Sequence, residues 1–212
     1  HNTGRRQRQM CIRDRYGMQS FPSINMIESF TNEKDRSLDS DVMNGHQKAS
    51  LGTGNLMKYV EDYYQVNDDF DSIAGLSQIM QAEAIRFAVE THRRNMPYCM
   101  GTLYWQFNDC WPVISWSSID YGGNWKALHY AARKFFSPLL VSMRDLDNKI
   151  EIHVVNDQHH EVESEIRLGL FNFNGDTLFN DSSDIKVEPF SSVIYHAFDK
   201  DDLLGGLSLI HI

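Results

Sequence analysis

The stretch MGTLYWQFNDCWPVISWSSIDYGGNWKALHYAARKFF, residues 100–136, decides the fold. Its opening, Met100 to Phe107, is a nearly continuous apolar and aromatic run. Such a run suits a strand buried on both faces, as in a parallel sheet covered by helices. Gly122 and Gly123 then make a turn, and Trp125 to Phe136 reads as a helix. Upstream, Ile73, Leu76, Met80, Ala84 and Phe87 recur at helical spacing and predict one long helix from about Ser72 to Arg94. Asp71 or Ser72 can cap its start, His92, Arg93 and Arg94 suit the dipole at its end, and Pro97 stops it. Asn55 to Tyr64 predicts a shorter helix, residues 23–50 a long polar loop with helical turns, and Tyr16 to Phe21 a short strand that Pro22 closes. Strand, loop and helix in repeated succession indicate α/β architecture.

Past Ser137-Pro138 the pattern becomes alternating. Lys149 to Asn156 (KIEIHVVN) puts Ile150, Ile152 and Val154 on one face, and Glu165 to Phe173 does the same with Ile166, Leu168 and Leu170. Asn174-Gly175-Asp176 is a hairpin signal, and Ile185, Val187, Val193 and Tyr195 lie in further strand-like pieces. Short strands separated by turns predict a β-sandwich, with the domain boundary near 137–141.

Composition narrows the function classes. The 212 residues include 20 basic and 29 acidic side chains, a net charge of −9 that argues against nucleic acid or an anionic membrane surface as the main partner. A 42% hydrophobic share with 12% aromatics supports a buried core and excludes wholesale disorder. No apolar run is long enough to span a bilayer. The three cysteines form no C-x-x-C pair, so neither a zinc site nor a disulfide framework is expected; Cys99 and Cys110 read as small buried hydrophobes. No metal and no cofactor are expected, because no His/Asp cluster has ligand spacing.

The ends differ from the body. Five of residues 1–15 are Arg and one is Asp, whereas residues 16–212 carry 15 basic and 28 acidic side chains. MCIRDR within that start, and LSLIHI at 207–212, resemble translated sequencing-adapter strings. Residues 1–15 are therefore expected to be a foreign or disordered segment and 207–212 a foreign tail. No apolar segment follows the basic start, so no signal peptide is expected.

All four tryptophans, Trp105, Trp111, Trp116 and Trp125, fall within 21 residues, together with Asn108, Asp109, Asp120 and Lys126. A sugar ring has an apolar C–H face and a rim of hydroxyls. A site for it needs a flat aromatic platform beside amides and carboxylates, and Trp105 to Asp109 supplies both at the end of a predicted strand. In a β/α barrel that end carries the active site. Tryptophans are also large core residues, a reading as good as the other for Trp116 and Trp125.

Three strings, YGMQSFPS at 16–23, RSLDSDVMNGHQKASLGTGNLMKYV at 36–60 and RRNMPYCMGTLYWQFNDCWPVISWSSIDYGGNWKALHY at 93–130, resemble bacterial β-mannosidases of glycoside hydrolase family 2. The resemblance covers residues 16–200 and implies the C-terminal portion of a (β/α)8 TIM barrel at 16–138, followed by an immunoglobulin-like β-sandwich at 139–206. It implies a retaining hydrolase that removes terminal non-reducing mannose from β-mannosides or manno-oligosaccharides with two carboxyl groups about 5 Å apart. The family's nucleophile Glu immediately precedes the aromatic-Gly pair that is Tyr16-Gly17 here, so its position holds Arg15, whose protonated guanidinium cannot act as a nucleophile. The acid/base lies upstream of the matching strings. The polypeptide is therefore expected to be inactive, with no catalytic residue of its own. By the same resemblance Trp105 forms the floor of the mannose subsite, Asn108, Asp109 and Trp111 line or support the pocket, and Gln19 and Ser20 shape the same cleft. His46, Gln47 and Lys48 border the aglycone side.

Two alternatives stay open: a non-catalytic carbohydrate-binding or interaction module built on the sandwich, and a sister β-galactosidase or β-glucuronidase. A platform on the sandwich would need Tyr195 or a Phe, since residues 141–206 contain no Trp. Oligomeric state and compartment are open, with a periplasm or the cell exterior fitting the family.

Overall fold

A computed structural model describes residues 11–50 and 52–204. Its elements in chain order are β1 (Cys11–Tyr16), α1 (Ile24–Glu28), a 3-10 turn (Glu33–Asp35), α2 (Asp41–Gly45), α3 (Gly52–Tyr63), α4 (Phe70–Arg94), β2 (Cys99–Tyr104), α5 (Ala127–Phe135), β3 (Leu139–Asp145), β4 (Lys149–Asn156), β5 (Val162–Phe171), β6 (Thr177–Val187), β7 (Ser191–Asp199) and α6 (Lys200–Leu204). They form two units, one of Ile12–Thr91 with Gly101–Phe136, the other of His92–Met100 with the chain from Ser137 onward.

In the first unit β1 and β2 pair as a two-stranded sheet. The opening strand is thus Cys11–Tyr16 and not Tyr16 to Phe21; past Tyr16 that stretch keeps a bridge between Ser20 and Ser115. The expected disorder over 1–15 is corrected for its last five residues, which lie in that strand; the remainder of that segment and the tail at 207–212 lie outside the described residues. Gly17 follows because no side chain fits there: a Cβ would stand 2.3 Å from the Trp105 carbonyl oxygen. The blocking atom is backbone at the end of β2 and cannot swing aside. Gly17→Ala is expected to destabilise the chain by about 1–3 kcal/mol. An unchanged urea midpoint would show that the backbone yields there at no cost.

Helix α4 is capped by Asp69, not by Asp71 or Ser72. The Asp69 carboxylate accepts the backbone N–H of Ser72 at 3.0 Å and its hydroxyl at 2.5 Å, and these bonds hold its carboxyl below the usual range. Its buried face runs through Ile73, Ser77, Met80, Gln81, Ile85 and Val89. The apolar stripe predicted above holds at Ile73 and Met80 but ends on Phe87, which is 69% exposed. The helix turns polar residues inward because each finds a partner: Ser77 Oγ accepts the Phe21 N–H at 3.0 Å, and Gln81 Nε2 donates to the Met18 carbonyl at 2.8 Å. Two apolar clusters cover this face. One gathers Phe21, Ile27, Met43, Leu56, Val60 and Ile114 onto Ile73 and Met80. The other packs Leu128, Ala132 and Phe135, spaced at helical intervals on α5, onto Ile85 and Val89.

Strand β2 is not buried on both faces as expected. Leu103 is exposed, as are Trp105 and Phe107 beyond the strand end, and Cys110 is exposed where a buried hydrophobe was anticipated. Cys99 is buried.

The second unit is a β-sandwich. Antiparallel β3, β4 and β7 form one sheet in the order β3-β4-β7, and β5 pairs antiparallel with β6 to form the other. Strand β4 matches the alternating stretch at Lys149 to Asn156: Ile152 and Val154 face a core shared with Ile166, Ile185 and Val187 of the opposite sheet. Gly175, at φ +88°, makes the turn between β5 and β6 that the Asn-Gly-Asp signal predicts. The last turn of α4 belongs to this unit: Arg93 Nη2 donates to the Asp157 carboxylate at 2.7 Å, and Arg94 Nη1 to the Ser142 hydroxyl at 2.6 Å.

Asn156 ends β4 fully buried, with its amide nitrogen donating to the carbonyls of His160, Val187 and Glu188 and its amide oxygen accepting the Gln158 N–H. Asn156→Ala strands those backbone groups and is expected to cost about 1–3 kcal/mol. Thermal unfolding of the variant at the wild-type midpoint would show that water replaces the amide.

Candidate substrate site

Three segments of the first unit meet at the end of β2: residues 17–20 after β1, residues 46–48 after α2, and the aromatic loop 105–118. Backbone contacts join them. Trp105 N–H donates to the Tyr16 carbonyl at 2.8 Å, Ser20 N–H to the Ser115 carbonyl at 2.9 Å, and Ile114 N–H to the His46 carbonyl at 2.8 Å. Gln47 bridges to Ile114 in parallel register.

Trp105 stands on this junction, 49% exposed, with a cis peptide to Gln106. Trp111 is 37% exposed and Asn108 is exposed. Gln19 is half-buried; its amide nitrogen donates to Gln47 Oε1 at 2.8 Å, while Gln47 Nε2 donates to Thr53 Oγ1 at 3.2 Å. His46 packs its ring on Phe30, with centroids 3.9 Å apart and planes 8° from parallel. These residues present aromatic faces and amides side by side.

Two expected cleft residues are instead interior. Ser20 is wholly buried; its hydroxyl donates to Gln81 Oε1 at 2.8 Å. Asp109 is buried with both oxygens occupied. Oδ2 accepts the hydroxyls of Ser115 and Ser117 at 2.7 and 2.5 Å, and Oδ1 accepts Gln106 Nε2 at 3.0 Å, with Lys48 Nζ 3.8 Å away. A carboxylate engaged and buried this way fixes the shape of the loop behind Trp105 and Trp111 and is turned away from a ligand on the surface. Lys48 serves the same end and is not a free cleft residue.

Beneath the junction lies Lys126, almost fully buried, whose Nζ donates to the carbonyls of Ser20 and Ser115 at 3.3 and 3.4 Å. Burial pushes its pKa down to about 7, against the opposing pull of Asp109 and Asp120. Asp120 is itself buried and accepts the Ser23 hydroxyl at 2.6 Å and the Asn124 N–H at 2.9 Å, which closes the turn through Gly123 at φ +83°. Sequence reasoning placed Lys126 in the cluster without a role. The available signal was the run Ser115-Trp116-Ser117-Ser118, short hydroxyls close behind an Asp in an otherwise apolar stretch. On the outer side Trp125 is exposed and touches His129 edge-on, whose pKa burial lowers.

Cavities of about 640 Å³ at the β3–β4 turn beside Lys200 and about 410 Å³ beside Gln47 and Gly52 contain neither Trp105 nor Trp111. Among the described residues no group of His, Cys, Asp and Glu could hold a metal ion, and no helix is long and apolar enough to cross a membrane.

The aromatic loop and the sandwich have counterparts in known proteins. A family model described as a Mannosidase Ig/CBM-like domain matches residues 148–210. The β-mannosidase of Capra hircus is 37% identical over 146 residues, which are 62% of this chain and 17% of that protein. The crystal structure of a β-D-mannosidase from Dictyoglomus thermophilum superposes with a TM-score of 0.80 at 32% identity, over 88% of this chain and 23% of that one. An exo-chitosanase from Amycolatopsis orientalis, 15% identical, shares the fold with a TM-score of 0.70 over 86% of this chain and 25% of its own. These matches place the chain among the glycoside hydrolases. Within them it is similar to the β-mannosidases, and it spans about a fifth of the length of the relatives it matches.

Proposed function

We propose that residues 16–138 are the C-terminal part of a glycosidase TIM barrel and residues 139–206 an immunoglobulin-like sandwich of a retaining β-mannosidase that releases terminal non-reducing mannose from β-mannosides. The observation that carries this reading is the 32% identity to the Dictyoglomus β-D-mannosidase across 88% of the chain, a span that includes the exposed Trp105 at the strand end. Trp105 is the floor of the mannose subsite, with Trp111, Asn108 and Gln19 around it. Asp109 and Ser20 act one layer behind, by holding the loop and the strand end in place. The nucleophile position is occupied by Arg15, so this polypeptide hydrolyses nothing on its own.

The reading is tested in two measurements on the chain. An aryl β-mannoside should show no turnover above background; turnover would overturn the inactivity. Titration with methyl β-D-mannoside, methyl β-D-galactoside and methyl β-D-glucuronide, followed by the tryptophan indole resonances, should move Trp105 for the mannoside first. A stronger response to galactoside or glucuronide would support the sister hydrolases.

A module that binds sugar through the sandwich has one observation in its favour: Phe171 and Phe173 are exposed at the β5–β6 hairpin. Tyr195, the other expected platform, is tied through its hydroxyl to the Lys186 carbonyl. Sugar-dependent shifts at Phe171 and Phe173 with silent indoles would favour that module.

A further inference from the structure

The His46 ring is held from three sides. Its Nδ1 lies 2.7 Å from the Pro112 carbonyl oxygen. A carbonyl only accepts, so Nδ1 carries the proton and the tautomer is set. Phe30 stacks on one face at 3.9 Å, and the Trp111 ring lies 5.6 Å away, tilted by 34°. The segment itself cannot drift, because the backbone on both sides is bonded to residue 114: His46 O accepts the Ile114 N–H, and the Lys48 N–H donates to the Ile114 carbonyl. The other ring nitrogen, Nε2, has no protein partner among the described residues, and the residue is only half-buried. A surface histidine left to solvent has no need of such restraint. Here the restraint leaves one lone pair, of fixed direction, next to an exposed tryptophan face.

We propose that His46 is a substrate-contact residue: its Nε2 accepts a hydrogen bond from a hydroxyl of the sugar that stacks on Trp111. A hexose offers donors around its rim and C–H groups on its face, and the His46–Trp111 pair presents an acceptor beside a ring, matched to both. The assignment rests on the β-mannoside reading above and adds the residue that reads a hydroxyl on this flank of the cleft. The amide oxygen of Gln47, next in the chain, already accepts from Gln19 Nε2 and the Ala49 N–H, so the acceptor on this flank is His46 and not its neighbour.

The test is nitrogen-15 NMR of the histidine and tryptophan rings in the 212-residue chain, titrated with methyl β-D-mannoside. The His46 signals are assigned among the nine histidines by their loss in His46→Phe. The free chain should show the Nδ1–H tautomer at His46. With sugar, Trp111 should shift and Nε2 should move upfield as it accepts a hydrogen bond. His46→Phe, which keeps a ring stacked on Phe30, should still move Trp111 but bind about 2- to 10-fold more weakly, the loss of one neutral hydrogen bond. The wild-type signals make the result independent of how well the variant folds. A proton on Nε2 in the free chain, or a Trp111 shift with Nε2 unmoved, overturns the assignment and leaves the mannoside reading standing. Silence at Trp105, Trp111 and Nε2 alike removes that reading and the assignment with it.

Discussion

Raising the pH from about 7 toward 10 is expected to stabilise this chain relative to its Lys126→Met variant. Lys126 is buried beneath the junction of three segments, and burial lowers its pKa from the ordinary 10.5 to about 7. Below pH 7 both folded and unfolded chains carry its proton, and the folded chain bears the whole cost of an ammonium removed from water. Between 7 and 10.5 the unfolded chain keeps the proton and the folded chain has lost it. The unfolded state then binds more protons, so stability rises with pH, by about 1.4 kcal/mol per unit at full separation of the two states. Lys126→Met has no such proton to lose. Urea unfolding of both proteins from pH 6 to 9.5 isolates the residue, since every other titrating group contributes to both curves. Parallel curves would mean that the two carbonyls and the carboxylates of Asp109 and Asp120 keep the ammonium charged.

Asp109→Ala is expected to cost about 3–5 kcal/mol, the range for removing one partner from a buried charge network. The carboxylate engages two serine hydroxyls, the Gln106 amide and Lys48, and it opposes the desolvation of Lys126. Its loss leaves all of these donors facing an apolar methyl. The effect should reach the site: the indole signals of Trp105 and Trp111 should shift or broaden in the variant, while the sandwich, whose core is built of other residues, keeps its spectrum. Asp109→Asn, which replaces one acceptor oxygen by a donor, should fall between the two. A stable Asp109→Ala with unmoved indoles would show that the serines and the glutamine hold the loop among themselves.

Much of the architecture is local and therefore legible. The spacing of Ile73, Met80 and their neighbours indicates α4 without any partner in view, because a helix repeats every few residues. The alternation in Lys149 to Asn156 and the Asn-Gly turn similarly indicate β4 and the β5–β6 hairpin. The four clustered tryptophans point to the aromatic loop. The errors have one source. Phe87 sits at a helical interval from Met80 yet faces outward, and Gln81 faces inward, because their surroundings are set by segments far along the chain. Ser20 and Asp109 carry polar groups that read as ligand contacts, but each is buried and hydrogen-bonded inside the unit.

The long helix α4, the alternating strand β4 with the β5–β6 hairpin, and the aromatic loop follow from the sequence by itself, since periodicity and turn chemistry act over a few residues. Only the tertiary structure decided which polar groups are interior and which remain available. Lys126 meets the Ser20 carbonyl across 106 positions, and His46 meets that of Pro112 across 66. A hydrogen bond over that separation exists only once the intervening chain has folded, and it turns Asp109 into a support and His46 into an acceptor of fixed direction.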